Sequence, residues 1–312
     1  MRKRIGIIGL GDIAQKVYLP ILSKHEKVEI VGLMSRSDST VQKFAELFRI
    51  NNAYTDLSQL FKQEPQAVFI HTPTETHADI VNQCLQQGID VYVDKPLSYE
   101  INESFEMVEA AERQGRLLAV GFNRRFAPRY VEAKSWLQKA GGFNSCVVQK
   151  HRTKLQKHSA KHTLYDDLIH MLDLQVWLNN GKYSVESYNQ KTDELGRLLH
   201  ATGSLRLGDA SGFFSMDRNA GVDLEKLELH GNGRSVEVVN LEHTVLYDPV
   251  NGELVKKFGS WDDVLYRRGF VGVVDHFLDS LDDHTRCSIR GDQVLSSHEL
   301  VEQLLLRVEQ RK

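Results

Sequence analysis

Residues 5–14, IGIIGLGDIA, decide the fold, because an apolar run leads into a glycine-rich turn. The apolar run predicts a strand buried on both faces, and the residues after the glycines have helical spacing. Gly9 permits a tight turn, and Gly11 lets the backbone approach a pyrophosphate at the N-terminus of the helix. Ala14 occupies the third position of the motif, where a methyl group still permits fairly close packing. The pattern favours a dinucleotide-binding turn over a plain connection between strand and helix.

The same alternation of strand and helix continues to residue 122. Further buried strands are predicted at VEIVGLM (28–34), near Ala53, at AVFIHTP (67–73), at DVYVDKP (90–96) and at LLAVGF (117–122). One of the helices between them ends before Gly88, in a place that favours glycine. Because strands that are apolar throughout alternate with helices, we predict an α/β domain with a parallel sheet over residues 1–121.

Beyond residue 122 the pattern becomes that of an antiparallel sheet. Apolar and polar residues alternate in SCVVQKHR, RLLHATGSLRL, GDASGFFSMD, KLELHG, SVEVVN and HTVLYD, with turn signals between them. Helices are predicted over 126–139, 163–179, 264–282 and 291–311. We therefore predict a second, α+β domain over residues 122–312, with no flexible linker before it.

Composition argues against several classes of protein. The 312 residues carry a net charge of −3 and no long basic run, so neither nucleic acid nor a membrane is an expected partner. No stretch approaches the roughly 20 apolar residues of a membrane span, and the first apolar run is too short for a signal peptide. Cys84, Cys146 and Cys287 lack metal-ligand spacing and the 13 histidines are dispersed. We expect a cytoplasmic protein with free thiols and no metal.

Residues after the second predicted strand bear on the choice of dinucleotide. An acidic residue there would bind the ribose 2′-hydroxyl of NAD, but the first acid is Asp38. Ser35 and Arg36 suit a 2′-phosphate instead, through a hydroxyl donor and a charge-assisted contact. The pattern favours NADP over NAD, and the alternative is that Arg36 is an ordinary exposed side chain.

Lys95 follows a strand at the edge of the sheet where ligands bind. The carboxyl ends of the parallel strands share that edge, which also holds Thr72, Pro73 and Asp94. From there an ammonium group can donate to a substrate oxygen and stabilise the charge that develops on it. The alternative is a structural ion pair between Lys95 and a neighbouring carboxylate such as Asp94.

A second group of polar residues, LYDDLIHMLD (164–173), falls on one predicted helix. Asp166 and His170 are four residues apart and Asp173 follows three later, so the three share a face. A histidine beside a carboxylate is a suitable proton carrier near neutral pH. The alternative is a hydrogen-bonded histidine on a core-facing helix, since many of its neighbours are apolar.

Five motifs together resemble the Gfo/Idh/MocA family of NAD(P)-dependent oxidoreductases. They are GLGDIAQKVYLP, TPTETHADIV, VDKPLS, VGFNRRF and DDLIHMLDLQVWL, in this order. The similarity covers nearly the whole chain, is strongest over 1–130 and 164–178, and extends to the MviM-like bacterial branch. It implies a Rossmann domain that binds NAD(P), and a C-terminal domain with an open, mostly antiparallel sheet. That second domain would bind the substrate, and its sheet would form a homodimer or homotetramer.

The resemblance also implies roles for individual residues. Lys95 matches the lysine that binds the substrate hydroxyl and the cofactor, and His170 matches the usual acid/base. Asp166 matches the aspartate that holds the substrate and the histidine, and Asp173 completes the pattern. The cofactor-lining set is Gly9, Gly11, Asp12, Ile13, Thr72, Pro73, His77, Asp94, Lys95, Asn123 and Arg124, together with Ser35 and Arg36.

Two positions depart from the family pattern. The common Glu before Lys-Pro is Asp94 here, one methylene shorter, and the Gly of the D-x-G-x-H pattern is Leu168. The first departure changes the reach of the carboxylate. The second narrows the pocket or changes the loop, and so leaves the substrate class open.

The implied reaction is hydride transfer between nicotinamide C4 and a carbinol or carbonyl carbon. Its substrate would be a sugar, a polyol or a related compound, with Lys95 at the oxygen and His170 at the proton. Two alternatives stay open, namely a non-catalytic NAD(P)-dependent sensor or regulator of the same fold and a dehydrogenase for a non-sugar hydroxy compound. The intact set of Lys95, Asp166 and His170 favours an enzyme, because a sensor needs no proton carrier.

Overall fold

The computed structural model describes residues 2–310, which divide into two compact units. The first unit holds the chain from its N-terminus to Gly121 together with Val273–Leu295. The second holds Phe122–Gly272 and the chain from Ser296 onwards. The chain thus crosses between the units after residue 121, where we predicted a boundary. Residues 273–295, which we predicted to belong to the second domain, return to the first unit.

A parallel sheet forms the centre of the first unit. Its strands are β1 (Lys3–Ile8), β2 (Val28–Met34), β3 (Ala53–Tyr54), β4 (Ala67–Ile70), β5 (Asp90–Val93) and β6 (Leu118–Val120). The helices between them are α1 (Leu19–Leu22), α2 (Asp38–Phe48), α3 (Leu57–Phe61), α4 (His77–Gln86) and α5 (Ile101–Gln114). The strand order is β3-β2-β1-β4-β5-β6, and every pairing is parallel. This order places a topological switch point between β1 and β4, where nucleotides bind in doubly wound folds.

Local signals explain where the helices of this unit begin and end. Ser37 caps α2, because its hydroxyl accepts a hydrogen bond from the Thr40 N–H at 3.3 Å. Gly88 follows α4 in left-handed backbone, with φ +72°, which confirms its predicted place. The helical segment after the glycine turn is not a regular α-helix, since Ala14–Tyr18 makes π-type hydrogen bonds. Single π turns of this kind often occur at functional sites.

The second unit is built on a larger, mostly antiparallel sheet. Its strands are β7 (Ser145–His151), β8 (Ser184–Thr192), β9 (Leu198–Leu207), β10 (Ala210–Asp217), β11 (Leu224–Gly231), β12 (Arg234–Val239), β13 (His243–Asp248) and β14 (Gly252–Lys256). The order is β14-β13-β12-β11-β7-β10-β9-β8, and β7 pairs with β10 in parallel. The accompanying helices are α6 (Pro128–Gln138), α7 (Ala160–Thr163), α8 (Ile169–Leu178) and α9 (Val264–Arg267). The predicted fold class, a Rossmann domain followed by an α+β domain with a mostly antiparallel sheet, is confirmed.

Two late helices follow the second sheet, α10 (Phe270–Ser280) and α11 (Gly291–Glu309). The ring of Phe277 on α10 lies 5.2 Å from that of Phe69 and 5.4 Å from that of Tyr92. The Val120 N–H also donates to the Ile289 carbonyl at 3.0 Å. Burial of this apolar helix face explains why the segment joins the first unit. Within residues 2–310 no helix has the length and hydropathy that a membrane crossing requires.

Candidate active site

The glycine turn lies at the switch point of the parallel sheet. Gly9 has φ +86°, and a Cβ at this position would lie 2.7 Å from the backbone of both His71 and Thr72. Gly11 is exposed and precedes the helical segment. Because only glycine fits Gly9's place between the ends of β1 and β4, the backbone there stays open to a pyrophosphate. The residues present therefore fit a dinucleotide.

The other predicted residues of this turn and of the β2 end lie at the surface. Asp12 and Ile13 are exposed, and the Asp12 carboxylate is 2.6 Å from the Lys16 ammonium. Ser35 is half-buried, and Arg36 is exposed just beyond β2. Arg36 is thus open to solvent, and its contact with a ribose phosphate stays a prediction.

His77 ties together two loops at the carboxyl edge of the sheet. Its Nδ1 lies 3.0 Å from the Pro96 carbonyl oxygen, and its Nε2 lies 3.1 Å from that of Thr72. The imidazole is buried, and this burial lowers the pKa of His77. His77 thereby supports Thr72, the neighbouring exposed Pro73 and the peptide that follows Lys95. Its direct contact with a cofactor stays a prediction.

Asp94 has a partner that the sequence analysis missed. Its Oδ2 lies 2.8 Å from Nδ1 of His71, whose ring stacks on Tyr18 with centroids 4.0 Å apart. The Tyr18 hydroxyl lies 2.8 Å from that of Tyr92. Burial, followed by the Tyr92 and Asp94 groups, raises the pKa of Tyr18 well above its usual value. The Asp94 carboxylate, one methylene shorter than the common Glu, is therefore held by the buried His71. The half-buried Lys95 follows Asp94 directly.

The predicted polar helix of the second unit contains a second π turn. Leu164–Leu168 joins α7 to α8, and the Ile169 N–H donates to the Leu164 carbonyl, five residues back. His170 is 8% exposed, and Asp166 is half-buried. The helical region spans 160–178, close to the predicted 163–179. Both π turns thus occur where the sequence predicted ligand-binding residues.

The Asp173 carboxylate pairs with side chains of the second unit. Its two carboxylate oxygens accept from Arg125, from Nη2 at 2.6 Å and from Nε at 3.0 Å. The Ser297 hydroxyl donates to the same carboxylate at 2.8 Å. Asp173 is 1% exposed, so these contacts account for its carboxylate within the second unit. Its predicted contact with a substrate stays a prediction that no contact described here supports.

Arg124 connects His170 to Glu225. Its Nη1 lies 3.1 Å from Nδ1 and 3.2 Å from Nε2 of the imidazole, and its Nε and Nη2 donate to Glu225 at 2.6 and 2.9 Å. A guanidinium has only donors, so a hydrogen bond from Nη1 needs a ring nitrogen that keeps its lone pair. The contact therefore favours a neutral imidazole. The neighbouring Asn123 donates to the Arg268 carbonyl at 2.8 Å, which fixes this short segment.

A buried network of charges surrounds Glu225. The Lys150 ammonium lies 2.6 Å from Asp167 Oδ1 and 3.9 Å from Glu225 Oε2. Arg218 also contacts Asp167, and the Arg152 Nε lies 3.8 Å from it. Lys150 and Glu225 face each other as register partners on β7 and β11. Asp167, the neighbour of the predicted Asp166, enters this network.

The surroundings shift the pKa values of this network strongly. Burial, together with the charge of Arg124, lowers the pKa of Lys150 to about 7. Burial alone would raise the pKa of Glu225, but the charges of Arg124 and Lys150 outweigh it and lower the pKa to about 2. The pKa of Asp167 is lowered in the same way, against the effect of burial, chiefly by Lys150. Both carboxylates are therefore ionised at neutral pH.

The described residues also bear on metal binding and on thiol chemistry. Within residues 2–310, no three His, Cys, Asp or Glu side chains come together as possible metal ligands. Cys84, Cys146 and Cys287 are buried free thiols, and burial raises the pKa of Cys84 to about 12. Such thiols are poor nucleophiles, so the polar clusters described above remain the candidate site.

Sequence comparisons place both units in known families. The family model described as "Oxidoreductase family, NAD-binding Rossmann fold" matches residues 3–122, and a model of the YceM-like C-terminal domain matches residues 128–247. The protein YceM of Salmonella typhimurium is 34% identical over 302 residues, which cover 96% of each chain. An inositol 2-dehydrogenase of the same species is 26% identical over 191 residues, 59% of this chain and 56% of the relative.

Solved structures agree with these matches. The crystal structure of the dehydrogenase MviM from Clostridium difficile has a TM-score of 0.92 at 31% identity and covers 98% of this chain and 100% of that one. A Gfo/Idh/MocA family oxidoreductase from Vibrio cholerae has a TM-score of 0.87 at 27% identity, with 99% of each chain covered. With the glycine turn at the switch point, these matches show that the chain belongs to the Gfo/Idh/MocA family of oxidoreductases with an NAD-binding Rossmann fold.

Proposed function

We propose that the protein is a nicotinamide-dependent dehydrogenase or reductase acting on a carbinol or carbonyl carbon of a sugar, a polyol or a related compound. The observation that carries this proposal is the buried His170, in contact with the Arg124 guanidinium, at the family's acid/base position. Family membership supports the reaction type. The inositol 2-dehydrogenase among the relatives supports a polyol-like substrate.

The proposed roles follow from the chemistry of each group. The bound nicotinamide supplies or accepts the hydride. His170 takes the proton from the substrate hydroxyl during oxidation and returns it during reduction, which its lone pair permits. Lys95 donates to the same oxygen and stabilises its developing charge. Asp166 orients Lys95, His170 or the substrate.

Arg124 and Glu225 act as positioning residues in this scheme. The bidentate contact of Arg124 with Glu225 fixes the guanidinium plane, so its remaining donor stays directed at the imidazole. A cation beside His170 also opposes a second proton on the ring. The imidazole is thereby kept ready to accept a proton from the substrate.

We further propose that NADP is the preferred cofactor, with NAD as the second choice. The support is the exposed Arg36 just beyond β2, with Ser35 beside it and no acidic residue before Asp38. The proposed assembly is a homodimer or homotetramer through the C-terminal sheet, and the proposed location is the cytoplasm.

The test is hydride transfer, followed at 340 nm over a panel of sugars, polyols and their oxo forms. Lys95→Met and His170→Ala should each abolish turnover, while NADPH titrated by fluorescence still binds. The matched controls are Lys62→Met and His243→Ala, which change exposed side chains and should leave turnover intact. Turnover retained in both site variants would refute the proposed roles. Tight cofactor binding without turnover on any substrate would favour the non-catalytic sensor.

A further inference from the structure

Arg218 has a guanidinium group that the described residues use only in part. Its Nη1 donates to Asp167, and its Nε is buried without a hydrogen-bond partner among the described residues. Arg124, Arg125 and Arg290 each bind a carboxylate through the edge formed by Nε and Nη2. This edge is the part of arginine that matches a carboxylate or phosphate with two parallel hydrogen bonds. A buried donor without a partner is costly, which makes a missing acceptor the simplest explanation.

The side chains around Arg218 have a surplus of positive charge. The contacts described above join Arg124, Lys150, Arg152 and Arg218 to the carboxylates of Asp167 and Glu225. Asp223 is an exposed carboxylate on which the charges of Arg152 and Arg218 also act, so the cationic groups of this region exceed the carboxylates by one. A buried charge surplus is unfavourable unless an anion offsets it. The low pKa of Lys150, caused by burial and by Arg124, reflects the same surplus.

The position of this surplus in the fold favours a ligand site. Lys150 and Arg152 lie at the carboxyl end of β7, and Arg218 follows the carboxyl end of β10. Because β7 and β10 pair in parallel, these ends meet at one edge of the sheet. The network also reaches the proposed proton carrier, since Arg124 contacts both Glu225 and His170.

The sequence before the polar helix adds further positive charge. The basic segment 150–162, KHRTKLQKHSAKH, contains five Lys or Arg residues, three His and no acid, although the chain has a net charge of −3. Several of its side chains, such as Lys154 and Lys157, are exposed. A cationic segment beside a site raises the local concentration of anions and their rate of binding.

We propose that the substrate of this site carries an oxyanion group, a carboxylate or a phosphate, which binds the Nε–Nη2 edge of Arg218 with Arg152 beside it. This inference rests on the proposed function, because it names the substrate class of the same site. The shared chemistry is a planar or tetrahedral group with two oxygens that accept in parallel. A neutral sugar or polyol offers hydroxyl oxygens that accept one at a time, and it brings no negative charge to offset the cationic side chains.

The test compares three six-carbon ligands of one chain type by calorimetry at saturating NADP. They are sorbitol, which is neutral, gluconate, which has a carboxylate, and sorbitol 6-phosphate. We expect at least one anionic ligand to bind about tenfold or more tightly than sorbitol, as a charge-assisted pair provides. The tighter of the two anions identifies the group. Equal binding of all three would overturn the proposal.

Two substitutions separate the guanidinium edge from charge alone. Arg218→Gln should remove the preference for the anion, and Arg218→Lys, which keeps a cation that can pair with Asp167, should remove most of it. The control Arg206→Gln removes an exposed arginine paired with Glu186 and should change nothing. Unfolding temperatures show which variants are folded, and Arg218→Lys serves where Arg218→Gln does not fold. A preference for the anion that survives in a folded Arg218 variant would refute the site.

The binding readout is independent of turnover. An anion preference that depends on Arg218, found without hydride transfer on any ligand, would support the anion site and remove the proposed reaction. Turnover of neutral ligands with no anion preference would support the reaction and remove the anion site. The two proposals therefore fail separately.

Discussion

At the scale of residues, one exposed arginine is expected to decide the choice of dinucleotide. Arg36→Gln should weaken NADPH binding about 10- to 100-fold, because a charge-assisted contact contributes about 1.5–3 kcal/mol. NADH affinity should stay unchanged, since NADH lacks the 2′-phosphate. Fluorescence titration of both cofactors measures the effect, with Arg113→Gln on the exposed face of α5 as the control. Equal losses of affinity for the two cofactors would show that Arg36 does not recognise the 2′-phosphate.

Alanine substitutions at the two glycines of the same turn are expected to have different effects. Gly9→Ala places a Cβ 2.7 Å from backbone atoms at left-handed φ, and should cost about 2 kcal/mol of unfolding free energy as well as cofactor binding. Gly11→Ala brings its Cβ no closer than 3.8 Å to a neighbour, so stability should hold while cofactor affinity falls. Urea unfolding and NADPH titration separate the two effects. A stable Gly9→Ala protein with normal affinity would contradict this account of the turn.

At the scale of elements, one carboxylate holds α8 to two other segments. Asp173 binds Arg125, in the turn Asn123–Phe126, and Ser297 on α11. Asp173→Asn should lower the free energy of unfolding by about 3 kcal/mol, because it leaves a buried guanidinium without its countercharge. Glu109→Gln, which breaks an exposed pair with Arg113, should cost under about 1 kcal/mol in the same urea titration. A raised KM with unchanged stability would instead place Asp173 in the substrate site.

The elements also show what the sequence could predict. The sequence analysis predicted the strands that have a clear burial pattern. It missed β8 and β14, because edge strands bury few side chains. Lys150 and Glu225 were missed although each falls on the buried phase of its strand, beside Val148 and Leu227 respectively. The sequence signal that could have identified them is a charged residue at a position where the alternation of the strand predicts a buried side chain. Which charges pair across strands depends on long-range register, which periodicity does not report.

At the scale of the whole molecule, buried charges make stability depend on pH. Lys150 has an unfolded pKa of about 10.4 and a folded pKa of about 7, so the folded state binds this proton less readily. The free energy of unfolding should therefore rise between pH 7 and pH 9.5, by up to about 3 kcal/mol from this group. Glu225 has a lowered pKa in the folded state, so the stability that it contributes is lost as pH falls from about 4.5 towards about 2.

Lys150→Met isolates the alkaline part of this dependence. Urea unfolding at pH 7.0 and 9.5 should show a clearly smaller rise for Lys150→Met than for the parent chain. Lys62→Met, which removes an exposed lysine, should keep the parent slope. Parallel slopes for Lys150→Met and the parent would mean that Lys150 keeps an ordinary proton affinity in the fold.

The return of Val273–Leu295 to the first unit has a consequence for biosynthesis. A ribosome delivers the glycine turn and all six parallel strands early, but α10 follows only after about 150 further residues, some 8–30 s later at ~5–20 residues per second. Throughout that interval Phe69 and Tyr92 lack the aromatic contact that Phe277 provides. The nascent polypeptide would then be a client for chaperones, and dinucleotide binding should mature only near the end of translation.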